Sequence, residues 1–219
     1  MLLHRFLRLV VVPLLRVVFR LKVEGAQHVP GTGAVILAAN HLSLLDSFLI
    51  PVVTPRPVSF LAKAEYFQQP GLKGRLIRAC LVDAIPVPRG DHRAAQASLE
   101  LALQVLTEGR AFGIHPEGSR SRDGRLYRGR TGVAWLALAT NAPVVPVAVL
   151  GTDRVLPAGA RLPRPGRITV RFGSPLCFPD PPAGAAKARR VITDEVMSAI
   201  QELSGQTPAH AYNELSAGV

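Results

Sequence analysis

This sequence has few cysteines and no clustered metal ligands, and that shortage excludes two kinds of site. The two cysteines, Cys80 and Cys177, lie far apart in apolar surroundings, so neither a disulfide framework nor a zinc-binding spacing is present. The six histidines are too scattered to complete a zinc site. We therefore expect two buried thiols in a reducing compartment, no metal ion and no resident cofactor.

Acidic and aromatic residues are also scarce, which narrows the choice of partners. The chain has 26 Lys+Arg against 15 Asp+Glu, a net charge of +11, and such a surface prefers an anionic partner. Charge alone permits nucleic acid, anionic lipid or a phosphorylated substrate. Because only 5% of the 219 residues are aromatic and no base-reading motif is present, we expect no nucleic-acid partner.

No long hydrophobic run occurs in the N-terminal segment, residues 1–20. Its longest uncharged stretch, Leu9–Leu15, is too short to span a bilayer, and its spread charges are atypical of a secretory signal. In a helix the arginines would share one sector and leave a Leu, Val and Phe face. We predict an amphipathic membrane-interface helix, kinked or divided at Pro13; a helix packed on the domain is the alternative.

The rest of the chain alternates between short apolar runs and longer periodic segments. The runs predict strands at residues 33–39, 58–62, 83–87, 110–114, 144–150 and 168–172. The periodic segments predict helices at residues 41–53, 71–81, 91–107, 129–140 and 185–203. We therefore predict a single α/β domain with a mixed, largely buried sheet flanked by helices, at residues 23–205. Residues 1–22 would be the membrane-anchoring segment and residues 206–219 a polar tail.

A histidine and an aspartate follow the first predicted strand, in the segment 40–46 (NHLSLLD). Ligands in α/β folds bind at the carboxyl ends of strands. A histidine beside a carboxylate can act as a general base, because the carboxylate fixes the tautomer and stabilises the imidazolium. Five residues of helix turn about 140°, so His41 and Asp46 can meet only if His41 precedes the helix. A helix-capping histidine with a solvent-facing aspartate is the alternative.

A polar turn follows a later strand, in the segment 113–122 (GIHPEGSRSR). A tight turn at Gly118 would present backbone N–H groups, and together with Arg120 these form a phosphate cradle. Glu117 is too near such a phosphate to bind it directly, so we expect it to orient the arginine or the loop. A plain polar surface turn is the alternative.

These two segments together resemble the glycerolipid acyltransferase family, which includes the 1-acylglycerol-3-phosphate acyltransferases. The family carries an Asn-His-x4-Asp motif, matched by residues 40–46, and a Pro-Glu-Gly-Thr-Arg motif, matched by residues 116–120. Two further blocks, Ile85–Arg89 and Val144–Ala148, match in the same order. The resemblance covers residues 23–171, which is most of the chain.

The resemblance implies acyl transfer without an acyl-enzyme. His41 would deprotonate the hydroxyl of a lysophospholipid such as lysophosphatidic acid, and Asp46 would orient His41. The hydroxyl would attack a thioester of coenzyme A or acyl carrier protein, and His41 would protonate the leaving thiolate. The product would be phosphatidic acid for phospholipid biosynthesis. The implied acceptor-binding residues, with Arg120 the first candidate for the phosphate, are Glu117, Gly118, Ser119, Arg120, Arg89 and Lys63.

The sequence departs from the family pattern at two positions. The usual phenylalanine before Pro-Glu-Gly is His115, and the usual threonine is Ser119, which keeps the hydroxyl. His115 is either a second polar contact to the acceptor or a tolerated aromatic replacement.

The acceptor and the reaction class leave alternatives. Glycerol 3-phosphate, a lyso-aminolipid or a glycosylated phosphoinositide would suit the same residues. A non-catalytic lipid-binding protein of the membrane surface is the alternative from another class. In each case we expect a peripheral or monotopic protein on the cytoplasmic face of the cell membrane, in contact with anionic lipids.

Overall fold

The computed structural model describes residues 2–63, 85–87, 92–160, 162–179 and 184–213. The strands described are β1 (Lys22–Glu24), β2 (Val35–Ala39), β3 (Val58–Lys63), β4 (Ile85–Val87), β5 (Ala111–Ile114), β6 (Val144–Leu150) and β7 (Thr169–Phe172). The α-helices described are α1 (Leu2–Phe19), α2 (Asp46–Val53), α3 (His92–Thr107), α4 (Gly132–Thr140), α5 (Thr152–Val155) and α6 (Ala185–Ser204). A short 3-10 turn, Ala26–His28, follows β1.

Most predicted elements are confirmed at nearly the same bounds, with three differences. The helix predicted from His41 begins only at Asp46, because the Asp46 side chain binds the backbone N–H groups of the preceding turn. Strand β1 and helix α5 were not predicted, since elements of three and four residues carry too little periodicity. The helix predicted at residues 71–81 lies outside the described residues.

The strands form one mixed seven-stranded sheet in the order β1-β7-β6-β2-β5-β3-β4. Strand β2 is parallel to its neighbours β5 and β6, while β7 runs antiparallel to β6. Because β2 is central and buried on both faces, its sequence is continuously apolar instead of alternating. The α/β fold with a mixed, largely buried sheet is therefore confirmed.

Two apolar layers cover the two faces of this sheet. Val35 and Leu37 of β2 face the side covered by α1 and α2. Ile36 and Ala38 point to the other side, against α3, α4 and α6. Burial of both faces fixes the register of β2, so its carboxyl end is held firmly in the middle of the sheet.

Helix α1 is continuous through Pro13, so the predicted division into two short helices is wrong. An interior proline removes one backbone donor, and the helix continues despite that loss. Val12, Leu15 and Phe19 pack α1 against the core beside α2. No helix in the described ranges is long and apolar enough to cross a membrane.

Residues 206–213, here called the C-terminal strap, are bonded onto the domain. Helix α6 ends with Gly205 in the left-handed region, at φ 67°. The strap then runs beside residues 124–130: the N–H of Leu126 binds the carbonyl of Thr207 at 3.0 Å, and the N–H of Arg128 binds that of Ala211 at 2.8 Å. The described part of the predicted polar tail, residues 206–219, is therefore hydrogen-bonded to the domain.

Candidate active site

Three neighbouring strands, β5, β2 and β6, end at the same edge of the sheet. Because they are parallel, the residues that follow them meet there: His115 after β5, His41 after β2 and Thr152 after β6. This edge is the usual ligand-binding position in α/β proteins. The fold therefore brings both sequence motifs to one place.

The predicted histidine–aspartate pair is formed. Nδ1 of His41 lies 3.1 Å from Oδ2 of Asp46, and His41 lies in the turn before α2, as the pairing requires. The same Oδ2 accepts the N–H groups of Leu42 at 2.7 Å and Ser43 at 2.8 Å. A single carboxylate thus shapes the loop and orients the imidazole.

Asp46 is fully buried, yet it is held in the ionised form. Burial opposes the charge, but the hydrogen bonds from the His41 ring and from the Ser43 N–H lower the pKa of Asp46 overall. The hydroxyl of Thr152 donates to its other oxygen, Oδ1, at 2.6 Å. Both oxygens of this carboxylate therefore accept hydrogen bonds from within the site.

The tautomer of His41 follows from this arrangement. An ionised carboxylate only accepts, so in the neutral imidazole Nδ1 carries the proton and Nε2 presents its lone pair. Nε2 makes no hydrogen bond to any residue that the structure describes, and the side chain is 16% exposed. His41 is therefore arranged as a general base that a ligand can reach.

The Pro-Glu-Gly turn clamps the backbone of His41 on both sides. Oε1 of Glu117 accepts a hydrogen bond from the N–H of His41 at 2.8 Å. The N–H of Ser121 donates to the carbonyl of His41 at 2.7 Å. The other Glu117 oxygen accepts the N–H of Tyr127 at 2.9 Å. Glu117 is fully buried, so it orients the loop and does not lie open to a substrate. Burial raises its pKa to about 7, although both N–H bonds favour the charge.

The rest of the turn faces outward. Gly118 has φ 78°, which favours glycine, and its N–H binds the carbonyl of His115 at 3.0 Å. Ser119 is half-buried and Arg120 is exposed. The side-chain amide of Asn213, in the strap, donates to the carbonyls of Ser119 and Arg120 at 3.2 Å each. The turn is thus fixed through its backbone while the Arg120 side chain reaches solvent.

Two further candidates are less fully placed. Lys63 is the last residue of β3 and pairs with Val87 of β4 at the same edge of the sheet. Arg89 lies outside the described residues. Of the predicted site residues, the structure therefore brings together His41, Asp46 and residues 117–120.

Sequence reasoning missed several residues that hold this site. Thr152 could have been found, because it follows a buried strand as closely as His41 does. The motif alone gives no role to Asn40, which exchanges two hydrogen bonds with the backbone of Val149 and donates to Gln206 at 2.7 Å. Gln206 and Asn213 carried no local signal, since they lie far along the chain from the motifs.

The residues that form this site lie in a region that matches a known protein family. The family model described as Acyltransferase matches residues 20–150, a range that contains both turns of the site. The chain belongs to the acyltransferase family. Helix α6 and the strap lie beyond the matched residues.

Named relatives fall within the same family. The chain is 34% identical over 157 residues to the 1-acyl-sn-glycerol-3-phosphate acyltransferase of Limnanthes douglasii, covering 71% of this chain and 54% of that protein. It is 31% identical over 131 residues to the 1-acyl-sn-glycerol-3-phosphate acyltransferase of Borreliella burgdorferi, covering 60% and 51%. The chain spans about half the length of the curated relatives it matches.

A solved structure shares the acyltransferase fold. The crystal structure of the 1-acyl-sn-glycerophosphate (LPA) acyltransferase PlsC from Thermotoga maritima aligns with a TM-score of 0.66 at 28% identity. The alignment covers 84% of this chain and 71% of that one.

Proposed function

We propose that this chain moves a fatty acyl group from an acyl thioester to the free hydroxyl of lysophosphatidic acid, giving phosphatidic acid for phospholipid synthesis. The observation that carries the proposal is the clamp on His41, whose N–H binds Glu117 and whose carbonyl binds Ser121. An imidazole base and an arginine-bearing turn are thereby joined in one rigid unit. The relatives named as 1-acyl-sn-glycerol-3-phosphate acyltransferases support the choice of acceptor.

The chemical steps follow from the tautomer of His41. Nε2 takes the proton of the acceptor hydroxyl while the hydroxyl oxygen bonds to the thioester carbonyl carbon, and the carbonyl electron pair moves to oxygen. When that pair returns, the C–S bond breaks and the imidazolium gives its proton to the thiolate. The ionised carboxylate of Asp46 stabilises the imidazolium between these steps. No bond to the protein forms, and no cofactor beyond the thioester is needed.

Arg120 is proposed to bind the acceptor phosphate. It is exposed on the turn, and the N–H of its neighbour Ser121 binds the carbonyl of His41, which supports an anion site close to the base. A guanidinium matches a phosphate with two parallel hydrogen bonds. The donor is proposed to be acyl-coenzyme A or acyl carrier protein, and Lys63 and Arg89 remain proposed anion contacts.

Turnover of the purified protein tests this proposal. His41→Ala should lower the rate about 10²- to 10⁴-fold, the range that general-base catalysis supplies. The matched control is His210→Asn, which removes an exposed imidazole at φ 54°, a conformation that asparagine accepts. Each protein is assayed with lysophosphatidic acid, glycerol 3-phosphate, a lyso-aminolipid and a glycosylated phosphoinositide, with palmitoyl and oleoyl donors on both carriers.

The results separate the alternatives. Equal turnover by His41→Ala and the control would remove His41 from catalysis. Absence of acyl transfer by the wild type, with vesicle binding retained, would favour the non-catalytic lipid-binding protein. Transfer to another acceptor in preference to lysophosphatidic acid would keep the chemistry and change the substrate.

We also propose that helix α1 lies in the membrane interface, on the cytoplasmic face. Val10, Leu14 and Val17 share one exposed face at the i, i+4, i+7 spacing, opposite the stripe that packs on the core. Arg16 is exposed on the helix, and Arg20 is exposed directly after its end. An apolar face bordered by arginines suits a bilayer surface with anionic headgroups, where each arginine contributes about 1 kcal/mol.

Polar substitution of that face tests the location. The triple variant Val10→Ser, Leu14→Ser, Val17→Ser should lose co-sedimentation with vesicles that contain phosphatidylglycerol. Leu162→Ser is the matched control, because Leu162 is 78% exposed elsewhere on the surface. Undiminished binding by the triple variant would move the anchor to another surface. Deleting residues 1–20 is a poorer test, since it would also strip Val12, Leu15 and Phe19 from the core.

A further inference from the structure

We infer that His115 is a positioning residue for the catalytic imidazole of His41. Its ring stacks on that of His41, and its two ring nitrogens form hydrogen bonds, here called the ties, to the end of β2 and to the start of α2. This inference rests on the proposed function, because it assigns His115 a part in the same site.

The stack fixes the plane of the His41 ring. The ring centroids of His41 and His115 lie 3.9 Å apart, and the planes differ by only 8°. The hydrogen bond to Asp46 fixes one edge of the His41 ring but still allows tilting about that bond. A flat partner against one face removes the remaining freedom, so Nε2 points in one direction.

The polar contacts of His115 define its tautomer. Its Nδ1 lies 3.1 Å from the carbonyl oxygens of both Ala39 and Asn40, which can only accept, so Nδ1 carries the proton. Nε2 is then the acceptor, and the Ser47 hydroxyl donates to it at 3.3 Å. One imidazole therefore contacts the end of β2, the ring of His41 and the first turn of α2.

These contacts explain what histidine adds at a position where the family usually has phenylalanine. A phenyl ring could stack on His41, but it could not bond to the carbonyls or to Ser47. Both ring nitrogens of His115 already form hydrogen bonds within the protein, so neither is available to bind the acceptor. Burial and the neighbouring His41 lower the pKa of His115 to about 3, which keeps a second positive charge away from the working imidazole.

Phe60 supports the stack. Its ring centroid lies 5.6 Å from that of His115, at a tilt of 39°. Phe60 also lies over Gly113, where even a Cβ atom would collide with its ring. The glycine two residues before His115 therefore lets β3 supply an aromatic neighbour to the positioning ring.

A graded series of variants tests this role by steady-state kinetics. His115→Ala removes the stack and the ties, and should lower kcat up to about 10²-fold, the cost of a small misplacement of a catalytic group. His115→Phe keeps the stack and should recover most of that loss. The KM for lysophosphatidic acid should change little in either variant, since His115 does not touch the acceptor.

A double-mutant cycle isolates the tie to Ser47. Ser47→Ala should lower kcat a few-fold in the wild type, because it removes the donor to Nε2. In the His115→Phe background the same change should have no effect. An equal effect of Ser47→Ala in both backgrounds would overturn the tie.

Three further outcomes decide the inference. Unchanged kcat in folded His115→Ala would overturn it, as would a raised acceptor KM at constant kcat, which would make His115 a substrate contact. Should His115→Ala fail to fold, the comparison of His115→Phe with the wild type still measures the ties.

Nitrogen-15 NMR of the ligand-free wild type should show His115 protonated at Nδ1 alone between pH 5 and 8. A titrating ring would overturn the assignment. Because this spectrum needs no turnover, failure of the acyltransferase assay alone would count against the proposed function and not against the positioning geometry.

Discussion

The two turns of the site are built in opposite ways. In the loop 40–46 the charged group is enclosed: Asp46 is fully buried and accepts from His41, Leu42, Ser43 and Thr152. In the turn 118–120 the backbone is held by Asn213, while the charged side chain of Arg120 is exposed.

The contrast matches the role that we propose for each turn. A general base must lie within hydrogen-bond reach of one proton, so a fixed orientation matters most. An anion can be attracted over a longer distance and from several directions, so an exposed guanidinium serves at the entrance. Substitutions in the loop should therefore change kcat and stability, whereas those in the turn should change acceptor KM.

Asp46→Asn should have the largest effect. Loss of tautomer control costs about 10⁴ in kcat in triad enzymes. An amide also supplies one oxygen where the carboxylate supplies two, so a donor of the loop loses its acceptor and the melting temperature should fall. The control is Asp153→Asn, which removes a half-exposed carboxylate outside the site. Near-normal kcat with a normal melting temperature would contradict the description of the loop as a fixed unit.

Glu117→Gln should alter the pH dependence of stability. The pKa of Glu117 is raised from 4.5 to about 7, so this group stabilises the fold most below 4.5 and less as pH rises to 7. At about 1.4 kcal/mol per pKa unit, the change is on the order of 3 kcal/mol. Glutamine resembles the protonated acid. Urea unfolding across this window should show the wild-type free energy falling relative to that of the variant, and a constant difference would argue that Glu117 ionises normally.

Arg120→Ala should act on acceptor binding. Hydrogen bonds to charged groups contribute about 1.5–3 kcal/mol, so the KM for lysophosphatidic acid should rise about 10- to 100-fold. The KM for the acyl donor and the melting temperature should stay constant. Arg164→Ala, an exposed arginine elsewhere, is the control. A larger effect on the donor than on the acceptor would reassign Arg120 to donor binding.

Asn213→Ala should have the smallest effect and would sharpen the comparison. It removes two hydrogen bonds to the carbonyls of Ser119 and Arg120, each contributing about 0.5–1.5 kcal/mol. We expect a modest rise in acceptor KM at constant kcat, measured beside Thr207→Ala, an exposed strap residue. A fall in kcat instead would mean that the strap supports the base and not the turn.

Local patterns predicted much of this molecule. The buried strands were found from apolar runs, and the pairing of His41 with Asp46 was inferred from the need for His41 to precede the helix. The helix start was placed too early because Leu42, Leu44 and Leu45 continue the apolar pattern. The carboxylate of Asp46 overrides that pattern by binding the N–H groups of the turn.

Long-range partners could not be predicted in the same way. Thr152 lies 106 residues from Asp46, and Asn213 lies 94 residues from Ser119. Which polar side chain reaches which distant acceptor depends on strand order, and no local spacing encodes that order. The bounds of the site were therefore underestimated at the C-terminal end, where the strap had been interpreted as a tail.

The strap also sets the time at which the site is completed. A ribosome delivers the chain from its amino end, and the carbonyls of Ser119 and Arg120 must wait for the amide of Asn213, more than ninety residues later. Helix α1, which we propose lies at the membrane surface, has by then long emerged. If both proposals hold, the nascent protein reaches the bilayer before the backbone of the turn 118–120 is fixed, so that membrane attachment precedes acceptor binding.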